Sequence, residues 1–191
     1  MLKIDTHAHY LPRDWPDLAA KYGDPRFPVI HHGDDGRHRI YKDGKFFREI
    51  WSKTWDPLER VADYARFGVQ VQVISTVPVM FSYWARPHHA LELHQALNDH
   101  MAATCRAHPR HYAGIGTVPM QSPRLAVQEL ERCMDQLGLQ GTAVKVSDRG
   151  FVEVDSYCRT GEPGVYAIGD LINTPQLAHV AYAEAILVTK D

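Results

Sequence analysis

Asp56-Pro57-Leu58-Glu59-Arg60-Val61-Ala62-Asp63-Tyr64-Ala65-Arg66-Phe67-Gly68 runs directly into Val69-Gln70-Val71-Gln72-Val73-Ile74-Ser75-Thr76-Val77, and this stretch decides the fold class. Asp56 suits a helix N-cap and Pro57 the first helical position, with Leu58, Val61, Ala62 and Ala65 at helical spacing before Gly68 stops the helix. Val69 to Val77 then reads as a β-branched strand buried on both faces. Outward from there, a second helix is expected from about Arg86 to Ala107, closed by Pro109. Tyr112 to Val118 reads as another strand, and Ser122-Pro123 starts a helix ending near Gly138. Upstream, Leu2 to Thr6 is a short strand ending at His7. Strand and helix alternating at this spacing mean parallel βαβ units, hence an α/β fold up to about residue 140.

Two regions depart from that rhythm. Residues 12–56 are rich in Pro, Gly, Asp and His and read as an insertion outside the framework. Within it a small hairpin is expected from Arg39-Ile40-Tyr41 and Phe46-Phe47-Arg48 around Lys42-Asp43-Gly44-Lys45. Beyond residue 140, Phe151 to Asp155 alternates like a half-exposed strand, Val165 to Ile168 reads as a second short strand, and Thr174-Pro175 starts a final helix to about Val188. The 191 residues carry a net charge of -2, which gives no electrostatic case for nucleic acid or a membrane surface as partner. No apolar run approaches a spanning helix, and Met1 to Asp5 is no signal peptide. Three cysteines without a CxxC pattern point to a reducing, cytoplasmic setting.

Chemistry concentrates at the first strand. In Ile4-Asp5-Thr6-His7-Ala8-His9, alternate residues point the same way, so His7 and His9 can aim into one site as ligands of a divalent ion such as Zn(II). In an α/β barrel the C-terminal end of a strand is where catalytic groups gather. Other histidines offer less. His31-His32 and His88-His89 read as solvated, and His94 and His100 lie six apart on a helix and do not share a face. Met80, Phe81, Tyr83 and Trp84 suit either a pocket wall or core packing. Cys105 and Cys133 read as packed thiols.

The segments Asp5-Thr6-His7-Ala8-His9, Asp43 to Arg48, Trp55-Asp56-Pro57, Thr76 to Ala85 and Gly116-Thr117-Val118-Pro119-Met120-Gln121, in that order, resemble the aminocarboxymuconate-semialdehyde decarboxylases of the amidohydrolase superfamily. The likeness covers residues 1 to about 141 and implies the first three to four βα units of a (β/α)8 barrel with an inserted hairpin. It implies zinc-dependent, non-oxidative decarboxylation of 2-amino-3-carboxymuconate 6-semialdehyde, a small carboxylated molecule of tryptophan catabolism. It also implies a homodimer, and an open half barrel is expected to self-associate through its sheet edges. By the same resemblance His7 and His9 are metal ligands and Arg48 holds the substrate carboxylate with Phe47 beside it, as a guanidinium does bidentately. That family's later metal ligands and catalytic histidine have no assignable counterpart. Catalytic zinc normally has three protein ligands and a water, so the chain alone is expected to be an incomplete enzyme.

Residues 143–191 resemble a different family. Val144 to Asp155, Arg159 to Asp170 and Pro175-Gln176-Leu177-Ala178-His179 look like the dihydrolipoamide dehydrogenases, FAD-dependent disulfide reductases. The resemblance implies that Asp170 contacts the FAD ribityl chain and that Leu177, Ala178 and His179 lie near the flavin. The GxGxxG loop and the redox cysteine pair of that family have no counterpart, so the FAD reading is the alternative one. The chain therefore reads as two parts, 1–141 barrel-like and 142–191 a strand-strand-helix flavoprotein-like segment, joined as a chimera.

Overall fold

The structure is a computed structural model and describes residues 3–139 together with 153–159, 167–168, 172–174, 180, 183–184 and 187–188. The chain forms two compact units, Met1–Gly141 and Thr142–Asp191. Among the described residues no helix is long and apolar enough to cross a membrane.

In the first unit the strands β1 (Ile4–His9), β5 (Val71–Ser75) and β6 (Tyr112–Gly114) form a parallel sheet in the order β1-β5-β6. Helices α2 (Pro57–Ala65), α3 (Pro87–Ala107) and α4 (Pro123–Glu131) supply the helical half of the βα units. This is the partial barrel-like α/β fold expected. Local chemistry sets its boundaries. The Asp56 carboxylate accepts from the backbone N–H groups of Leu58 and Glu59 at 2.9 and 3.0 Å, capping α2 with Pro57 at its first turn. Helix α4 passes into a π-helical turn over Arg132–Gln136, and Gly138 ends the stretch in the left-handed region.

Strand lengths differ from the sequence expectation. β5 is Val71–Ser75 rather than Val69–Val77, and β6 is Tyr112–Gly114 rather than Tyr112–Val118. β5 is fully buried only at Gln72 and Ile74, the face packed on the helices, while Val71, Val73 and Ser75 are half-covered. β1 extends to His9, so both histidines of the first motif lie within the strand. On the helix side, Ala8, Tyr10, Tyr64, Ile74, Met101, Ala102, Tyr112 and Cys133 form a core. β6 reaches it only because Gly114 has no side chain: a Cβ there would stand 2.7 Å from Leu139 Cδ2 and 3.0 Å from both Cys105 Sγ and Met101 Cγ. Gly114→Ala is therefore expected to lower the thermal midpoint through overpacking of about 1–3 kcal/mol; a melting curve superimposing on wild type would contradict this.

The insertion is a sheet of its own. β2 (Val29–His32), β3 (His38–Lys42) and β4 (Lys45–Ile50) pair antiparallel in sequence order, preceded by the short helix α1 (Leu18–Tyr22). The expected hairpin is β3–β4, turning at Asp43 and Gly44 with φ of 56° and 67°, the geometry of a type I′ turn. The insertion lies outside the parallel sheet, as expected, but it is not detached from the framework. Leu11, Trp15, Leu18, Phe27, Ile40 and Ile50 are buried together with Met80, Ala90, Leu93 and Leu97, so the insertion shares a hydrophobic core with α3.

In the second unit Cys158, Ala167 and Ile172 are buried against Val154, Ile168, Leu187 and Val188. Asp155 ties a tight turn, accepting from the N–H groups of Tyr157 and Arg159 at 2.8 and 3.0 Å. Asp170, Leu177, Ala178 and His179 lie outside the described residues.

Candidate active site

In a regular strand Asp5, His7 and His9 would all project from one face. The ladder with β5 runs Asp5 to Gln72 and then Ala8 to Ile74, so β1 holds one extra residue. This bulge changes the phase of the strand. Asp5 turns to the side of Gln72, whose Nε2 donates to Asp5 Oδ2 at 2.7 Å, while Asp5 Oδ1 accepts from the His7 backbone N–H at 3.1 Å. His7 and His9 remain on the opposite face with ring centroids 5.1 Å apart and planes at 75°. Two imidazoles sharing a tetrahedral ion at a metal–nitrogen distance of about 2.1 Å place their centroids about 5 Å apart, so the pair fits a metal edge. Among the described residues no group of three His, Cys, Asp or Glu side chains suits an ion. The two rings fit part of a metal centre.

A second bulge serves the other half of the site. Ile40 pairs with Arg48 and Tyr41 with Phe46, leaving Phe47 as the extra residue of β4. Neighbouring side chains on a strand normally diverge, yet here Phe47 and Arg48 line the same cleft as His9. The cleft has a volume of about 260 Å³ and is walled by Leu11, Ile40, Ile50 and Val77. The Arg48 guanidinium stands 5.8 Å from the centre of the Phe47 ring. Among the described residues no carboxylate pairs with it, so it is available to an anion. Of the four residues singled out by sequence, three thus line one cleft and the fourth, His7, stands against its edge.

Trp51 and Arg60 also line this cleft, and sequence reasoning missed both. Trp51 immediately follows β4, and Arg60 is one turn into α2, where charge patterning reads as a solvated helix face. Arg60 Nε donates to Gln72 Oε1 at 2.7 Å and one terminal nitrogen donates to the Lys53 carbonyl at 3.1 Å. Burial pushes the Arg60 guanidinium below the ordinary arginine range, partly opposed by Tyr112, Tyr10 and Asp5.

The remaining histidines and thiols stay structural. His94 is fully buried and its Nε2 lies 2.7 Å from the Phe81 carbonyl, while His100 stacks on Tyr10 at 5.5 Å; burial lowers the pKa of both. His89 is half-buried, stacking on Tyr22 at 3.5 Å, whereas His31, His32 and His88 are exposed as expected, although His31 packs on Tyr41 at 4.6 Å and His32 on His38 at 4.2 Å. Met80 and Trp84 belong to the core, and of Thr76 to Ala85 only Val77 reaches the cleft. Burial pushes Cys105 up to about 11 and Cys133 up to about 12, which makes them poor nucleophiles. A larger hollow of about 560 Å³ beside the C-terminus of α3 is lined by Cys105, Arg106, Asp135 and Gln136 and holds none of this chemistry.

The first unit is thus a parallel α/β half barrel whose first strand presents paired imidazoles, with an arginine that has no ion-pair partner among the described residues lining the cleft beside His9. The chain belongs to the amidohydrolase family, whose profile matches residues 4–179 and so runs past the change of sequence texture near residue 141. It is 47% identical over 143 residues to 2-amino-3-carboxymuconate-6-semialdehyde decarboxylase of Dictyostelium discoideum, covering 75% of this chain and 40% of that protein. The Caenorhabditis elegans protein of the same name is 43% identical over 126 residues, covering 66% and 31%. The chain thus spans well under half the length of these relatives. It is also 50% identical over 50 residues to dihydrolipoyl dehydrogenase of Bacillus subtilis, covering 26% of this chain and 11% of that protein. Among solved structures, 5-carboxyvanillate decarboxylase of Novosphingobium aromaticivorans with bound manganese superposes with a TM-score of 0.54 at 21% identity, over 78% of this chain and 43% of that one. That match concerns the fold alone.

Proposed function

We propose that residues 1–141 are the metal-holding and carboxylate-holding part of a zinc-dependent, non-oxidative decarboxylase acting on 2-amino-3-carboxymuconate 6-semialdehyde. Residues 142–191 are a flavoprotein-like piece joined to it as a chimera, and the chain alone does not complete the reaction. One observation carries this reading: His9, Phe47 and Arg48 line a single cleft, with the His7 ring against that of His9. A divalent ion, when bound there, supplies Lewis acidity and an acidified water. His7 and His9 hold it. Arg48 grips a substrate carboxylate through two parallel N–H···O bonds and so fixes the orientation of the substrate beside the histidines. Phe47, Leu11, Ile40, Ile50 and Val77 exclude water and strengthen that ion pair.

Zinc titration of the metal-stripped full chain tests the reading. A four-ligand site worth about 10–16 kcal/mol assigns about 3 kcal/mol to each ligand, so His7→Ala and His9→Ala are each expected to weaken zinc binding on the order of 100-fold. Unchanged affinity in either variant sinks the metal assignment. Turnover of the semialdehyde by the chain alone would overturn the claim that it is incomplete.

A further inference from the structure

The cleft beside His9 holds more positive charge than one carboxylate needs. Its one acidic side chain is Glu49, and Glu49 is already paired, at 3.3 Å with Arg37 and 3.2 Å with Arg39. The other carboxylates on the adjoining elements are engaged as well. Asp63 pairs with Lys53 at 2.8 Å, Glu59 accepts from the Ser52 hydroxyl, Asp56 caps α2, and Asp5 is held by Gln72. Arg48 and Arg60 are left facing one cleft with no ion-pair partner among the described residues.

Arg60 does more than brace the fold. Its Nε and one terminal nitrogen are committed to the neutral acceptors Gln72 Oε1 and the Lys53 carbonyl, and its ring neighbour is Tyr10 at 5.8 Å. Among the described residues the second terminal nitrogen has no acceptor. A brace of this kind fixes the plane of the guanidinium and leaves one terminal nitrogen uncommitted on a side chain that lines the cleft, the preorganised form in which arginine recognises a carboxylate. The guanidinium is also partly stripped of water, so an anion reaching it recovers more than it would on an exposed lysine. Apart from His9, Glu49 and Thr54, the rest of the lining is apolar or aromatic, Phe47, Trp51, Leu11, Ile50 and Val77 among it. Such a surface suits a flat, conjugated body with an acidic group at each end.

We propose that Arg60 is a specificity-determining residue that binds the second carboxylate of a ligand whose first carboxylate is held by Arg48, so that the cleft selects planar dicarboxylates over monocarboxylates. This rests on the decarboxylase reading for the role of Arg48. Its test needs neither metal nor turnover, so the two can fail separately.

The test uses calorimetric titration of the full chain with two matched probes, the linear hexadienedioate muconate and sorbate, the same diene with one carboxylate. A hydrogen bond to a charged group is worth about 1.5–3 kcal/mol, so the wild-type chain is expected to bind muconate at least about tenfold more tightly than sorbate. Arg60→Gln is expected to bring that ratio to about one while leaving sorbate affinity unchanged. Arg60→Lys retains the charge but not the planar brace and is expected to keep part of the preference, which separates anion recognition from folding. Arg48→Gln weakens both probes. Equal binding of the two probes by the wild-type chain, or an undiminished ratio in Arg60→Gln, overturns the proposal. Loss of sorbate binding in Arg60→Gln overturns it too, because Arg60 would then be holding the cleft together rather than reading the second charge.

Discussion

Replacing Arg132 by alanine is expected to destabilise the chain by about 3 kcal/mol, the lower end of the cost of breaking a buried ion pair. Glu129, on the last turn of α4, is 1% exposed. Its carboxylate accepts from Arg132 Nε and a terminal nitrogen at 2.9 and 2.7 Å, from Asn98 at 2.7 Å and from Gln95 at 3.1 Å. Asn98 in turn clamps Thr117, accepting from its N–H and donating to its carbonyl, both at 2.8 Å. The network therefore ties α3, α4 and the segment after β6 together. Burial pushes the Glu129 carboxyl up, and the hydrogen bonds from Arg132, Asn98 and Gln95 more than offset it, holding it below its ordinary 4.5. A carboxylate lowered on folding contributes stability that is present above pH 4.5 and is lost as the pH falls through the folded value. Without Arg132 the largest counterweight to burial is gone and the carboxyl rises. The difference between wild type and Arg132→Ala should therefore be largest near neutral pH and shrink on acidification. For a chain of this length 3 kcal/mol corresponds to about 6–12 °C in thermal midpoint. A pH-independent gap, or a shift below about 2 °C, would show that Glu129 is held by its neutral partners alone.

The framework was legible because its signals are local. Asp56-Pro57 and Ser122-Pro123 mark helix starts, through proline at the first position of each and a side-chain cap at Asp56, and the Asp43-Gly44 turn follows from the backbone conformations those residues tolerate. Strand lengths were less legible, since propensity cannot register where a neighbouring strand stops offering hydrogen bonds; Thr76 and Val77 continue the β-branched run beyond the ladder. The candidate pairs His7–His9 and Phe47–Arg48 were read from residue type, but the geometry that groups them was hidden. Simple alternation puts Asp5 with His7 and His9 and sends Phe47 and Arg48 to opposite faces, and each expectation is reversed by one bulge. A bulge is a property of two strands in register and has no signature in either strand alone. Arg60 escaped for a related reason: its partner Gln72 is twelve residues away, and the cleft it lines is assembled from separate elements. His94 and His100 were correctly separated by helical periodicity, whereas His89 on Tyr22 depends on α1 folding back onto α3, which no local pattern announces.

Phe27→Ala is expected to cost about 3–5 kcal/mol and to carry a functional penalty that its position in the sequence would not suggest. Phe27 lies in a Pro- and Gly-rich stretch of the insertion, yet it is 1% exposed. Its ring meets Trp84 at 4.9 Å and Tyr22 at 6.2 Å, and Arg26 stacks on the far partner, 4.2 Å from the Trp84 ring. It is buried in one cluster with Leu18, Ile40 and Ile50 of the insertion and Leu93 and Leu97 of α3. Removing the ring leaves a cavity at the joint between the β2-β3-β4 sheet and α3, and aromatic contacts add to the lost transfer energy. That sheet carries Phe47 and Arg48, whereas His7 and His9 stand on β1 in the other sheet. The cleft between them exists only while the two sheets keep their spacing, and a displacement of about 1 Å is enough to spoil a bidentate carboxylate grip. The expected result is a lowered denaturation midpoint together with weaker sorbate binding, while zinc affinity at His7 and His9 changes little because β1 is held by β5. A Phe27→Leu variant, which keeps most of the volume, should restore much of both losses. If Phe27→Ala loses stability but binds sorbate as wild type does, the insertion is a stabilising cap and the position of Arg48 is fixed by its own hairpin.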